Sequence, residues 1–362
     1  MNILFIANHL NVGGISSYLF TLARGLVEKG HNIYLASGGG ELVEKFTAAG
    51  IKHIKVSLKT KKEISPQIIF SFLKLRRVMK INHINLVHSN SRTTQVAGDL
   101  LSRAAGVPHV FTCHGFFKPK ISRRLFPCWG EYVIAISQQV KEHLISDFKL
   151  DEKRISVVNN GIDIKSFGDF SPRDARRKEL GINDEPLVGI IARLSDVKGH
   201  IYLIRAMPKV IKSFAYAKLL IVGEGKMKMA LIQEADNLGI RDSVLFIPEV
   251  GATRDALSAM DVFVMPSLQE GLGLALMEAM AQGLAVVGSS VGGIKTLIQD
   301  KINGLLVSPT DVEGLAEAIT VLLKDSQMRR NLGINARKFI AENFSQQEMV
   351  DKTEGIYRKC LE

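Results

Sequence analysis

Cysteine is scarce and poorly placed for structural use: Cys113, Cys128 and Cys360 are the only three in 362 residues, odd in number and without CxxC spacing. That excludes a disulfide framework and a zinc site, and it fits a reducing cytosol. No charged residue precedes Arg24, yet no long apolar run fills the gap, because Asn8, His9, Asn11, Gly13 and Gly14 interrupt it after Ala7. With neither a basic leader nor an apolar span, the start reads as a buried strand and a glycine loop rather than an export signal or membrane helix. Also missing are a complete GxGxxG after that strand, a GxxxxGK[ST] loop, an HExxH and any pair of Asp at DxD spacing. Hydride transfer, P-loop hydrolysis and Asp-held metal catalysis thereby lose their usual signatures.

What is present is a chain 46% hydrophobic and 23% charged, long enough for two domains of ordinary size. Its net charge of +11 is unevenly spread: residues 1–160 hold 22 Lys+Arg against 10 Asp+Glu, and the remainder hold 25 against 26. A basic half joined to a neutral half suggests an anionic partner surface, with plain solubility as the alternative. The cations concentrate at Lys52, Lys55, Lys59, Lys61, Lys62, Lys74, Arg76, Arg77 and Lys80, beside a helix carrying Ile68, Ile69, Phe70, Phe72, Leu73 and Leu75. A second basic and aromatic cluster contains Phe116, Phe117, Lys118, Lys120, Arg123, Arg124 and Phe126. Neither shows the regular aromatic interleaving of single-strand nucleic-acid binders, so an anionic membrane surface is the expected partner and nucleic acid is not.

Short β-branched runs alternate with helix-length amphipathic segments throughout, the rhythm of parallel sheets in an α/β protein. Strands are predicted at Asn2–Ala7, Asn32–Ser37, Leu86–His88, His109–Thr112, Tyr132–Ile136 and Ile155–Val158, and the pattern restarts at Leu187–Ala192. Two doubly wound Rossmann-like domains follow, 1–162 and 163–344, with a last helix at about 345–362 free to pack back on the first. In such sheets ligands bind beyond the carboxyl ends of the strands, where the strand order reverses.

Four loops at strand ends could carry chemistry. Gly13-Gly14 precedes a helix, whose free amides suit an anion, although a tight strand–helix turn needs the same residues. After Leu187–Ala192 come Arg193 and Lys198-Gly199, a planar fork and a mobile ammonium that could clamp a diphosphate, or two solvated charges. Strand Val262–Met265 leads into Glu270-Gly271-Leu272-Gly273-Leu274 and then a helix holding Glu278 among Leu276, Met277, Ala279 and Met280. Carboxylates there could accept from sugar hydroxyls, and a lone charge on so apolar a helix needs a partner. His114 follows strand His109–Thr112 and stands beside Gly115.

Asn160-Gly161-Ile162-Asp163, Arg193-Leu-Ser-Asp-Val-Lys198-Gly199, Gly223-Glu-Gly225, Glu270 and Glu278 with seven residues between them, and Val291-Gly292-Gly293 occur in this order, and with them the chain resembles the retaining GT-B glycosyltransferases of family 4. The resemblance implies two Rossmann-like domains facing a cleft, the first for the acceptor and the second for a nucleotide-diphosphate sugar, a UDP-sugar in the first instance. It implies that Arg193 and Lys198 bind the diphosphate, Glu278 the ribose, and Glu270 the transferred sugar with the amides of Gly271, Leu272, Gly273 and Leu274. Gly223 falls among the donor contacts, Gly13 and Gly14 close on the phosphates, and His114 lies near the sugar. No cofactor or metal is expected. The expected acceptor is a hydroxyl of a cell-envelope glycan, such as lipopolysaccharide or another polysaccharide, or of a lipid-linked carrier. The expected place is the cytoplasm, peripheral on the inner face of the cell membrane. A nucleotide-sugar epimerase or a phosphorylase on the same scaffold, and a basic nucleic-acid-binding protein, are the alternatives. Pro248-Glu249 departs from the family, which commonly has a glycine there.

Overall fold

The computed structural model describes residues 1–57, 66–120, 123, 126–167, 173–248 and 253–362, the side chains of 66–69 aside. Lys59, Lys61, Lys62, Arg124 and Glu249 lie outside the described residues, as do the side chains of Ile68 and Ile69. The chain divides into two compact units, Met1–Gly161 with Gln346–Glu362, and Ile162–Ser345.

The first unit is built on strands β1 (Asn2–Ile6), β2 (Asn32–Ser37), β3 (Lys52–Lys55), β4 (Leu86–Ser89), β5 (His109–Cys113), β6 (Tyr132–Ala135) and β7 (Ile155–Val157). They form one parallel sheet in the order β3-β2-β1-β4-β5-β6-β7. Because side chains alternate across a strand, Ile3, Phe5, Ala7, Ile33 and Leu35 enter one core, and Leu4, Ile6, Tyr34 and Ala36 enter the other. Strand β3 escapes sequence reading. Its four residues, Lys-His-Ile-Lys, form an edge whose lysines stay exposed, so no apolar run announces it.

The helix Gln346–Leu361 completes this unit. Met349, Val350, Ile356 and Tyr357 join the core that holds Tyr18, Leu19, Leu22 and Leu26 of helix Gly14–Glu28. Gly25 permits the approach: a Cβ there would lie 2.5 Å from Val350 Cγ2. At the rim, Glu354 accepts from Lys29 at 2.5 Å and Arg358 at 2.6 Å, and lies 3.1 Å from His31 Nε2.

The second unit holds β8 (Leu187–Ile191), β9 (Lys218–Val222), β10 (Val244–Ile247), β11 (Val262–Met265), β12 (Ala285–Ser289) and β13 (Leu305–Val307), parallel in the order β10-β9-β8-β11-β12-β13. The polar stretch after Asn160-Gly161 is not a bare linker. Within it, helix Arg173–Glu179 sends the buried Arg177 to the carbonyl of Ala259 at 2.8 Å and, with Arg173, to the carboxylate of Asp261. Among the described residues no helix is long and apolar enough to cross a membrane.

Candidate active site

Strand order reverses between β8 and β11 in the second unit, so the loops leaving those strands flank its switch point. The loop after β8 carries Arg193, exposed and free of hydrogen bonds and ion pairs among the described residues, and then a single turn, Asp196–Lys198. The Lys198 ammonium meets Glu270 Oε2 of the β11 loop at 2.5 Å, and the buried Ser267 hydroxyl lies 3.5 Å from the same oxygen. Both ionic side chains are largely covered, so their attraction is less screened than that of a surface pair. The structure thus joins Lys198 to Glu270 and leaves Arg193 apart from both.

Glycines let these loops nest. A Cβ on Gly199 would fall 1.9 Å from the Pro266 carbonyl oxygen, and Leu268 N–H donates to the Val197 carbonyl at 2.8 Å. Gly223 and Gly225 of the β9 loop would meet the carbonyls of Ala192 and Leu194, each at 2.2 Å. Gly292 and Gly293 of the β12 loop back the Glu270 loop: Gly293 N–H donates to the Glu270 carbonyl at 3.0 Å. Gly223 therefore sits directly behind the segment that presents Arg193.

Helices His200–Ser213 and Leu274–Ala281 start from Gly199 and Gly273, and no side chain caps either. Helices Arg92–Ala105, Gln138–Phe148, Val312–Lys324 and Ser326–Asn343 are capped by Ser91, Ser137, Asp311 and Asp325. Uncapped first-turn amides beside Lys198 form a positive pole that an anion could fill. The Leu272 side chain is fully buried, so only its backbone can address a ligand. Leu274 and Glu278 stand one turn apart and half-buried, on a helix whose Leu276, Met277, Ala279 and Met280 are covered.

In the first unit the reversal lies between β1 and β4. The β1 loop ends at Gly13, which has φ 149° and opens helix Gly14–Glu28, again without a side-chain cap. It is pinned by Leu10 N–H to the Gly39 carbonyl at 2.9 Å and Val12 N–H to Glu41 Oε1 at 2.8 Å. His114 lies just past β5. Its Nε2 is 3.2 Å from Asn90 Oδ1, and its ring meets the Tyr18 ring edge-on, centroids 4.6 Å apart. Burial pushes the imidazole down to about 3, so it is neutral at cellular pH.

Behind it runs a chain of buried polar groups. Tyr18 OH lies 3.2 Å from Thr112 Oγ1, which is 2.7 Å from His88 Nε2, and His88 Nδ1 is 2.5 Å from Tyr357 OH. Past His114, Phe117 N–H donates to His143 Nε2 at 2.9 Å, and Asp147 holds the other ring nitrogen at 3.0 Å. Sequence reading missed Asn90, Tyr18, Thr112, His88 and Tyr357. The available signal was the polar run His88-Ser89-Asn90-Ser91 at the carboxyl end of a strand.

Comparison with known proteins supplies the family. Glycosyltransferase Family 4 matches residues 12–166, and Glycosyl transferases group 1 matches residues 172–339. The chain is 32% identical to the alpha-maltose-1-phosphate synthase of Mycolicibacterium smegmatis, over 79% of this chain and 81% of that one. It is 28% identical to a UDP-Gal:alpha-D-GlcNAc-diphosphoundecaprenol alpha-1,3-galactosyltransferase of Escherichia coli, over 79% and 78%. The crystal structure of Anabaena HepE in complex with UDP-glucose superposes with a TM-score of 0.88, at 22% identity, covering 99% of this chain and all of that one. By sequence and by fold, the chain belongs to the group 1 glycosyl transferases of family 4 and is a glycosyltransferase with the GT-B fold.

Proposed function

We propose that the protein transfers a sugar, with retention of configuration and without a metal, from a UDP-sugar to a hydroxyl of a cell-envelope glycan or lipid-linked acceptor. The observation that carries the reading is the Lys198–Glu270 pair at the β8–β11 switch point, beside two uncapped helix starts. A diphosphate entering there takes over the Lys198 ammonium and the free amides. That releases Glu270 to accept from sugar hydroxyls, while Arg193 closes from solvent and Glu278 holds the ribose. As the glycosidic bond breaks, negative charge builds on the departing diphosphate. Lys198, Arg193 and the helix amides stabilise it from fixed positions. The first unit takes the acceptor, with His114 near the reacting sugar. A donor UDP-sugar is favoured because the Escherichia coli relative is named for UDP-Gal, and a diphosphoundecaprenol acceptor in that name supports a lipid-linked one. Thermal shift against UDP-, GDP- and ADP-sugars tests the donor, since a bound ligand raises the melting temperature by mass action. A shift with a GDP- or ADP-sugar and none with any UDP-sugar refutes the base assignment.

A peripheral membrane site in the first unit is part of the same reading. On helix Pro66–Ile81 the core is served by Ser71, Leu75 and Met79, whereas Phe70, Leu73 and Ile81 are 74%, 55% and 63% exposed. Lys74, Arg76, Arg77 and Lys80 are exposed beside them. Apolar groups among cations suit an anionic headgroup layer, at about 1 kcal/mol per basic residue. The second cluster contributes less. Phe117 stacks with Phe111 and Trp129, Phe116 packs on His143, and only Phe126 stands well clear. Co-sedimentation with anionic but not neutral vesicles, lost at high salt, is expected. Equal recovery on both would return the acceptor to the soluble class.

A further inference from the structure

Asn90 stands one residue beyond β4 and is 2% exposed. Its backbone is fixed before its side chain does anything: Asn90 N–H lies 3.2 Å from Thr94 Oγ1, part of the capping box that starts helix Arg92–Ala105. The side chain therefore projects from a rigid turn, and among the described residues its Oδ1 is the hydrogen-bond partner of the His114 ring, 3.2 Å from Nε2. A neutral imidazole carries one proton on one of two nitrogens, and an amide oxygen can only accept. The arrangement puts that proton on Nε2 and leaves the Nδ1 lone pair for a substrate. The opposite tautomer would set a lone pair against a carbonyl oxygen.

The ring plane has a second support in the edge-on contact with Tyr18, itself tied through Thr112 and His88 to Tyr357. Among the described residues, Tyr18 from helix Gly14–Glu28 meets this ring and His88 from β4 lies near enough to act on it through space. Burial keeps the Tyr18 phenol protonated and the His88 ring neutral, so neither alters the charge around His114 across the working pH range.

We infer that Asn90 is a positioning residue of the transfer site, holding His114 as the Nε2–H tautomer so that Nδ1 accepts a hydrogen bond from a hydroxyl of the reacting sugar or of its acceptor. This rests on the proposed role of His114. Asn90 touches no substrate itself; it acts by fixing which imidazole nitrogen can receive a proton.

The test separates the tautomer from the reaction. Imidazole 15N shifts of the full-length protein, with the His114 signals identified by their loss in His114→Gln, should show a protonated Nε2 and an unprotonated Nδ1. In Asn90→Ala the two nitrogens should move toward the averaged values of a free ring. Turnover should then drop on the order of ten- to a hundredfold, while KM for the nucleotide sugar stays within about threefold. Asn90→Asp, of the same size, should raise the pH at which the ring protonates and introduce an acid limb into the kcat profile absent from the wild type. A wild-type ring protonated on Nδ1, or Asn90→Ala with unaltered ring shifts, overturns the inference. Full activity in His114→Ala instead removes the role of His114 itself, and with it the task given to Asn90, whatever the ring shifts show.

Discussion

Replacing Gly199 by Ala perturbs the site without removing any group assigned to a ligand. Gly199 has φ +71°, and forcing an L-residue into that conformation costs about 1–2 kcal/mol. The new methyl would also lie 1.9 Å from the Pro266 carbonyl oxygen, where real Cβ contacts begin near 3.0 Å, so one of the two loops must withdraw by roughly 1 Å. Whichever withdraws carries Lys198 or Glu270 with it, and the Lys198–Glu270 pair and the Leu268–Val197 bond span the same gap. A misplacement of about 1 Å can lower turnover on the order of a hundredfold. Gly239 supplies the control. Its φ is +67°, but a Cβ there meets nothing within 4 Å, so Gly239→Ala carries the strain without the collision. Melting curves of Gly239→Ala should fall by a few degrees, at about 2–4 °C per kcal/mol for a unit of this size. Gly199→Ala should melt lower still, bind UDP more weakly and turn over far more slowly. Were Gly199→Ala to bind and turn over like Gly239→Ala, the tight nesting of the two loops would have no part in the site.

Arg193→Ala should leave the melting temperature unchanged and weaken UDP binding by about ten- to a hundredfold, the loss of one charge-assisted bond, measured by calorimetry. Lys198→Ala should weaken binding similarly and also lower the melting temperature, because it strands the largely covered Glu270 carboxylate. Glu278→Gln should chiefly raise KM for the nucleotide sugar and Glu270→Gln chiefly lower kcat, and identical steady-state changes would contradict the roles given to them. Lys29, Arg358 and His31 hold the Glu354 carboxyl down at about 2, so its stabilisation is complete above the usual glutamate range and is lost as pH falls toward 2. Glu354→Gln should destabilise the protein by about 2 kcal/mol at neutral pH and flatten the decline in melting temperature between roughly pH 4.5 and pH 2.

Apolar strands were legible in the sequence because doubly covered parallel strands must be nearly continuous in Val, Ile and Leu, as at Leu187–Ile191 and Val262–Met265. Lys52–Lys55 was not, because an edge strand needs no such run. At the site, residue types and spacing drew attention to Lys198 and Glu270 separately. Their pairing joins positions 72 residues apart, and nothing local encodes it. The glycines show the converse: Gly292-Gly293 stands in the sequence only as part of a family motif, yet a Cβ on either would strike the backbone of the Glu270 loop. Asn90 was overlooked because an asparagine after a strand is common in turns, and only its distance to His114 distinguishes it.

The helix Gln346–Leu361 gives the first unit a peculiar history during synthesis. Residues Met1–Gly161 leave the ribosome with the surface of Tyr18, Leu22 and Leu26 still open, and all of Ile162–Ser345 must be made before Val350 and Tyr357 arrive to cover it. At about 5–20 residues per second that wait lasts on the order of ten to forty seconds, long enough for a nascent chain to recruit a chaperone or to stick to its neighbours. A premature stop just before Gln346 would therefore strike the unit of Met1–Gly161, far upstream in the message, and leave Ile162–Ser345 with its own core intact.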